Sequence, residues 1–339
     1  MEKVYEQKLD EENKVKEEES TAKKIISWVF KNIKFLLIPG SRLEELSKRQ
    51  FEYEKIISKR KFIRRLKSTL TILGIVLIFI IVSIAVFAPW LSPYTFEECN
   101  GVYSGWWDPP SPEHPLGKTY YGRDVLGRAL FGARSSLTIA LPAILFSVAF
   151  GVIFGIISGF YGGWVDTIIM RIADIMLAFP SLVFSLVLIA ILGRETGPRV
   201  EWIMLSWGIL GIPAYARLIR ASVLQARALP YVEAAKVAGA GSWRIMFKHI
   251  MPNTIQPIII SFTFDIGGVI LSLAGLAFLG YSDPRLIEWG NDINIARSFL
   301  YEAPLASLIP GLMILLTVLG FMLVGDGLRD ALDPRLRNI

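Results

Sequence analysis

Six runs of about 20 residues or more, nearly free of charge, divide this sequence, and that pattern points to a membrane bundle rather than a water-soluble core. The first lies in an uncharged run from Ser68 to Phe96, centred on Leu70–Trp90. The second covers Ser135–Phe160 and the third about Thr167–Leu192. The fourth covers about Trp202–Val223, the fifth about Thr254–Leu279 with Asp265 inside it, and the sixth about Leu305–Val324. A soluble α/β chain would instead show strands of about 5–6 residues broken by polar turns. Of the 339 residues, 53% are hydrophobic and 19% charged, against about 25% charged in soluble domains. The expected fold class is an all-α integral membrane protein with six transmembrane helices.

Lysine and arginine bias orients the bundle. Lys59, Arg60, Lys61, Arg64, Arg65 and Lys67 precede the first span directly, which predicts a cytoplasmic amino terminus. Six crossings return the carboxyl terminus to the cytoplasm, where Arg329, Arg335 and Arg337 fit. The segment 91–134 is then external and the loop 229–253, with Lys236, Arg244 and Lys248, internal. Cys99, in the external segment, is the expected handle for impermeant thiol reagents. Five parts follow: a charged, disordered tail (1–23), an amphipathic and basic cytoplasmic segment (24–67), the first span with its external loop (68–134), the core of the bundle (135–328) and a short cytoplasmic tail (329–339). Residues Lys24–Ile38 carry a lysine-edged apolar pattern that is too short to span a bilayer. They suit a helix lying in the headgroup layer or packed beneath the bundle. The first 23 residues hold eight acidic and five basic side chains and no apolar signal-peptide core.

Several chemistries are disfavoured at once. One cysteine and two histidines, His114 and His249, leave no thiolate cluster and little room for a histidine metal site. A net charge of +6, drawn largely from cytoplasmic flanks, does not imply nucleic acid. No phosphate-cradling Gly-x4-Gly-Lys-Ser/Thr motif occurs, so the chain is not expected to hydrolyse ATP itself. No convergent polar cluster suggests a membrane enzyme.

Within the spans, Gly151, Gly155 and Gly159 form a ladder of small residues at four-residue spacing. Such ladders let helix backbones approach closely where lipid supplies no hydrophobic drive. Packing within the bundle and contact with a second, similar subunit are both consistent with it. Pro142, Pro180, Pro213 and Pro310 each remove an intrahelical bond and favour a kink. Intramembrane acids are few and scattered, Asp174 early in the third span and Asp265 in the fifth. An aspartate near a helix centre costs about 2.5–3.5 kcal/mol on insertion scales, so Asp265 should face protein or water. The scarcity argues against an ion-coupled secondary carrier.

The segment Tyr231–Asn253, between the fourth and fifth spans, reads as two short helices. Pro230 suits a first helical turn. Gly239 and Gly241 punctuate, Ser242 is placed to cap the second helix, and Pro252 to stop it. Ala234, Ala235 and Ala238 offer a slim face to a partner, whereas Trp243, Ile245, Met246, Phe247 and Ile250 are too apolar for a free loop. A hairpin packed under its own bundle is the plainer alternative.

Here Glu233-Ala234-Ala235, then Gly239 and the ending Ile250-Met251-Pro252, resemble the coupling-helix signature of ABC importer permeases. Other segments resemble the dipeptide/oligopeptide permeases, the second of their two permease types. These are His114-Pro115-Leu116-Gly117, Gly122-Arg123-Asp124-Val125-Leu126, Gly132-Ala133-Arg134-Ser135-Ser136-Leu137, Ala178-Phe179-Pro180-Ser181-Leu182, Phe278-Leu279-Gly280, Glu288-Trp289-Gly290 and the run from Gly325 to Leu336. In order, they cover the chain from about residue 55 to its end. The departures are Lys118-Thr119 in place of Thr-Asp, Leu273 in place of a glutamate common before the Phe-Leu-Gly, His249 and Met251 in the coupling loop, and a long amino-terminal lead.

The resemblance implies a type I permease bundle without catalytic or metal-binding residues. It implies a partner set: a second homologous permease, two cytoplasmic ATPase subunits and an extracytoplasmic substrate-binding protein, with membrane lipid around the bundle. No cofactor is expected on this chain, and ATP and Mg belong to the ATPase subunits. Tyr231, Glu233, Ala234, Ala235, Gly239, Trp243 and Arg244 are the implied contacts to the ATPase. Peptides are the implied cargo, with oligosaccharides or nickel served by similar permeases. Trp106, Trp107, Tyr120 and Tyr121 are candidates for anchoring in the membrane interface or for contact with the binding protein or cargo.

Overall fold

The computed structural model describes residues 66–103 and 107–332. The tail 1–23, the segment Lys24–Ile38, Lys59 to Arg65 of the basic cluster, Trp106, and Arg335 and Arg337 lie outside them.

Helix α1 (Thr69–Leu91) opens on Ser68, whose Oγ accepts the Thr71 N–H at 3.2 Å. This satisfies one of the orphan donors of a first turn. A short α2 (Phe96–Asn100) follows, held by a capping box between Thr95 and Glu98. Helix α3 (Val125–Tyr161) begins ten residues before the expected second span. The His-Pro-Leu-Gly and Gly-Arg-Asp segments explain where it starts. Asp124 caps it through the Gly127 N–H at 2.6 Å, and its other oxygen lies 2.9 Å from His114 Nδ1. Gly117 and Gly122 turn the intervening chain at φ 78° and 71°.

The third span is not one straight helix. Helix α4 (Gly163–Leu177) and α5 (Ser181–Leu192) meet at a 94° bend. The break falls at Ala178-Phe179-Pro180, where Pro180 lacks the N–H that would continue the ladder. Of the four prolines expected to kink helices, Pro180 alone sits at a break; α3 and the two helices carrying Pro213 and Pro310 continue through theirs.

Helix α6 (Val200–Arg227) lies along α3 in parallel. Gly151 faces Tyr215, Gly155 faces Ala216 and Ile219, and Gly159 faces Val223. Near the ends of both helices, the Arg227 guanidinium donates to the Phe160 carbonyl at 2.9 Å. Parallel neighbours can be joined only by a segment that runs back across, so α4 and α5 together make the third crossing.

The loop beyond α6 contains α7 (Pro230–Val237), α8 (Ser242–Arg244), a π-helical segment Ile245–Ile250 and α9 (Met251–Thr254). Helix α10 (Gln256–Phe278) then crosses, α11 (Trp289–Ala296) lies at the far end, and α12 (Pro304–Leu332) returns. Five helices are individually long and apolar enough to span, and the bent pair supplies the sixth crossing. Helices are the only regular elements of three or more residues among the described residues. That accords with a solvent in which backbone groups must be satisfied internally.

Close backbone approach holds α1 against α12. A Cβ on Gly74 would lie 2.7 Å from Leu323 Cβ and one on Gly320 3.2 Å from Leu77 Cβ. At the end assigned to the outside by the charge bias, α11 is pinned to α3. Trp289 is buried, fills the recess left by Gly132 and donates its indole N–H to the Ala129 carbonyl at 3.0 Å. Beside it Arg128 and Asp292, 2% and 6% exposed, form an ion pair. Nε lies 2.7 Å from Asp292 Oδ1, and a terminal nitrogen lies 2.6 Å from the same oxygen without hydrogen-bond alignment. The other terminal nitrogen donates to the Cys99 carbonyl at 2.8 Å.

Candidate coupling surface and membrane-facing charges

Helix α7 ends in a Schellman motif. The Gly239 N–H bonds the Lys236 carbonyl at 2.9 Å and the Ala240 N–H bonds the Ala235 carbonyl at 3.0 Å. Gly239 sits between them at φ 78°. Only a residue at ease in the left-handed region closes such a cap cheaply. Gly239 has nothing within 4 Å of its Cβ position, so it terminates the helix and leaves open space.

Two of the expected stop signals act differently. Gly241 takes the cap position and Ser242 begins α8 without a capping bond. Pro252 does not end the second helix, which runs on to Thr254 through the π-helical segment. Wider i→i+5 spacing upstream absorbs the missing proline N–H and the clash with the preceding turn.

The loop has two faces. Val232, Ala235, Ile245, Met246 and Ile250 are buried against Ile156, Ile219, Val223 and Ile258 of the bundle. Glu233, Ala234, Lys236, Ala238, Gly239 and Arg244 are exposed, and Tyr231 is half-buried. Of the three alanines expected to face a partner, Ala235 thus points inward. Of the apolar residues, Trp243 points outward at 70% exposure and Val237 joins it at 90%. Trp243 rests on Phe247, ring centroids 4.2 Å apart. Val237 was not among the expected contacts, although its spacing from Glu233 and Ala234 puts all three on one helical face.

The glycine ladder is fully engaged within the chain. On Gly155 a Cβ would lie 2.6 Å from the Ala216 carbonyl, and on Gly159 one would lie 2.8 Å from Val223 Cβ. It packs α3 on α6, which leaves no room there for a second permease.

The two intramembrane acids are not brought together. Asp174 pairs with Arg217 of α6 at 2.6 Å, both half exposed. Asp265 accepts the hydroxyl proton of buried Tyr215 at 2.6 Å and is itself exposed. Nearer the loop beyond α6, Asp166 takes a fork from Arg220, at 2.5 and 2.6 Å, and a hydrogen bond from Ser158. Sequence spacing did not single out that pair, because its members are 54 residues apart.

In the segment between α2 and α3, Tyr120 stacks with Phe299 at a centroid distance of 5.4 Å, Trp107 lies tilted against the same ring at 5.1 Å, and Tyr121 stands edge-on to Tyr120. Lys118, at a departure from the family pattern, pairs with Asp108 at 3.0 Å. Leu273, at another, lines a small cleft together with Glu288 and Ser136. Burial, then the Asp283 and Asp292 carboxylates, push Glu288 up to about 8. Burial pushes the Cys99 thiol up to about 11, and its side chain is wholly enclosed. Cys99 is therefore no handle for a thiol reagent from either side, contrary to expectation. Among the described residues no group of three His, Cys, Asp or Glu is placed to hold a metal.

The structure is that of a helical membrane bundle whose loop beyond α6 is anchored on one face and bare on the other. Residues 151–338 match the family described as the inner membrane component of binding-protein-dependent transport systems. Residues 60–104 match the N-terminal transmembrane domain of oligopeptide transport permease C. The dipeptide transport system permease protein DppC of Alkalihalophilus pseudofirmus is 39% identical over 85% of this chain and 93% of its own length. The glutathione transport system permease protein GsiD of Pectobacterium atrosepticum is 38% identical over 82% and 92%. DppC of Haemophilus influenzae is 41% identical over 79% and 91%. A crystal structure of an amino acid ABC transporter with histidines aligns with 59% of this chain and 92% of its own at a TM-score of 0.48 and 16% identity. The chain belongs to the dipeptide/oligopeptide family of ABC importer permeases.

Proposed function

We propose that this chain forms one half of the membrane pathway of an ATP-driven peptide importer and receives its driving motion through residues 231–253. The bundle is embedded in the cytoplasmic membrane with both termini in the cytoplasm. A second homologous permease completes the pathway, two cytoplasmic ATPase subunits hold ATP and Mg, and an extracytoplasmic binding protein delivers the cargo. Peptides are the proposed cargo because the relatives named above are dipeptide and glutathione permeases.

The observation that carries the coupling role is the division of the loop into two faces. Val232, Ile245, Met246 and Ile250 fasten it to the inner ends of α3, α6 and α10. A push on the loop is then a push on three spans. The outward patch of Glu233, Ala234, Val237, Ala238, Gly239 and Trp243 is slim around Gly239 and apolar at Val237 and Trp243. Such a surface suits a groove on another protein. Alternating access follows if each nucleotide state of the ATPase favours a different arrangement of the bundle.

The test is cargo-stimulated ATP hydrolysis by the reconstituted complex of both permeases, ATPases and binding protein. Glu233→Lys and Gly239→Trp should abolish the stimulation while the variants still insert and assemble. Undiminished stimulation in both would sink the docking reading.

A further inference from the structure

Helix α6 leaves one stripe open along its second half: Ala214, Arg217, Ala221 and Gln225, at helical spacing. On one flank stands α4, whose exposed Thr167, Arg171 and Asp174 also recur at helical spacing, with Asp174 tied to Arg217 at 2.6 Å. On the other flank stands α10. There Tyr215 fixes Asp265 Oδ2 at 2.6 Å, and the Cβ position of exposed Gly268 meets nothing within 4 Å.

Depth makes this face unusual. At 1.5 Å per residue, Asp265 lies about 14 Å along α10 from Gln256 and Arg217 about 15 Å along α6 from Arg227. Both are near the middle of a hydrocarbon layer roughly 30 Å thick. Charges at that depth face protein or water. The exposed side of α1 is the contrast, with Ile72, Val76, Phe79, Ile80, Val86 and Phe87, and it suits lipid. Along the α6 stripe Ala214 and Ala221, and Gly268 on α10, are small and leave room instead of filling it, while α4 also exposes Ile168, Ile172 and Ile175 beside its charges.

Asp174 and Arg217 neutralise each other. Among the described residues Arg171 has no ionic partner, and Asp265 has none besides the neutral Tyr215 hydroxyl, with Oδ1 left open. One unpaired cation and one unpaired anion stand on opposite flanks of the same open stripe. The cargo chemistry that matches both is a zwitterion with separated charges.

We propose that this face is the wall of the aqueous route through the membrane and that it receives a peptide with free termini. Asp265 takes the α-ammonium group and Arg171 the α-carboxylate. The assignment rests on the reading of the chain as half of a peptide pathway and names the residues that meet the cargo.

The experiment uses the complete transporter in proteoliposomes, with trialanine as the probe. Asp265→Cys, made in a Cys99→Ser background, should react with a cationic, membrane-impermeant methanethiosulfonate in at least one nucleotide state. No reaction in any state would place the residue against lipid or in a sealed subunit contact and overturn the aqueous route. Asp265→Asn and Arg171→Gln should each lower the maximal trialanine uptake rate about tenfold, the loss of one charge-assisted hydrogen bond, with binding-protein affinity unchanged. Asp265→Glu should retain most of the rate. Wild-type uptake in both neutral variants would overturn the charge assignment. Failure of the parent reading looks different: the wild-type transporter would import no trialanine, whatever the labelling result.

Discussion

Arg128→Met tests how α11 is held against α3. The substitution keeps the unbranched stem and removes the cation, leaving the Asp292 carboxylate 6% exposed with no counter-charge and the Cys99 carbonyl without its 2.8 Å donor. Breaking a buried ion pair by removing one partner costs about 3–5 kcal/mol. At about 2–4 °C per kcal/mol for chains of 150–250 residues, the thermal midpoint should fall by about 6–20 °C. Asp292→Leu alone, which strands the guanidinium, should fall in the same range. The double variant removes both charges and both desolvation penalties, so it should recover most of the loss. What remains is the unmade bond to Cys99, about 1–3 kcal/mol. The assay is the fraction of monodisperse protein in detergent after heating, read by size-exclusion chromatography. Single variants within about 2 °C of wild type, or a double variant as unstable as the two losses summed, would refute the reasoning.

Three further outcomes are expected. Gly155→Leu should destabilise the bundle by about 1–3 kcal/mol or more, because even its Cβ would meet the Ala216 carbonyl at 2.6 Å. Gly275→Ala, which meets nothing within 4 Å, should leave the midpoint unchanged or raised; equal effects from the two would contradict the packing. Glu288 titrates near 8 when folded against 4.5 in its ordinary state, so the folded form alone holds the proton between those values. Wild-type stability relative to Glu288→Gln should therefore fall as pH rises from 4.5 to 8 and level off above, and a pH-independent difference in midpoints would count against it. Cys99 should stay unlabelled by impermeant maleimide in intact cells and in inverted vesicles alike, and label only after denaturation; reaction from either side would mean that its enclosure is wrong.

The short helices of the loop beyond α6 were partly legible in its residues, but not which side of them is buried. Gly239 is the helix terminator its spacing suggests. Alanines at adjacent positions look alike in sequence, yet Ala234 is exposed and Ala235 buried. The reason is the angle at which α7 meets the bundle, which depends on Ile156, Ile219 and Val223 from distant spans. The same holds for the glycine ladder, whose partner is α6, and for the third span, where Pro180 signalled weakness in the helix but not a 94° bend.

The sequence by itself determined that this chain crosses a membrane, about where each crossing lies, and which loop resembles a coupling element. Those properties come from the transfer of contiguous residues between water and hydrocarbon, and contiguity is what a sequence records. Only the tertiary structure decided that Arg128 meets Asp292 across 164 residues, that Tyr215 holds Asp265, and that the unpaired charges of α4 and α10 flank one open stripe. Those contacts depend on which helices become neighbours and in which direction they run. Close packing at glycines and a few buried polar bonds set that arrangement, and their members are far apart along the chain.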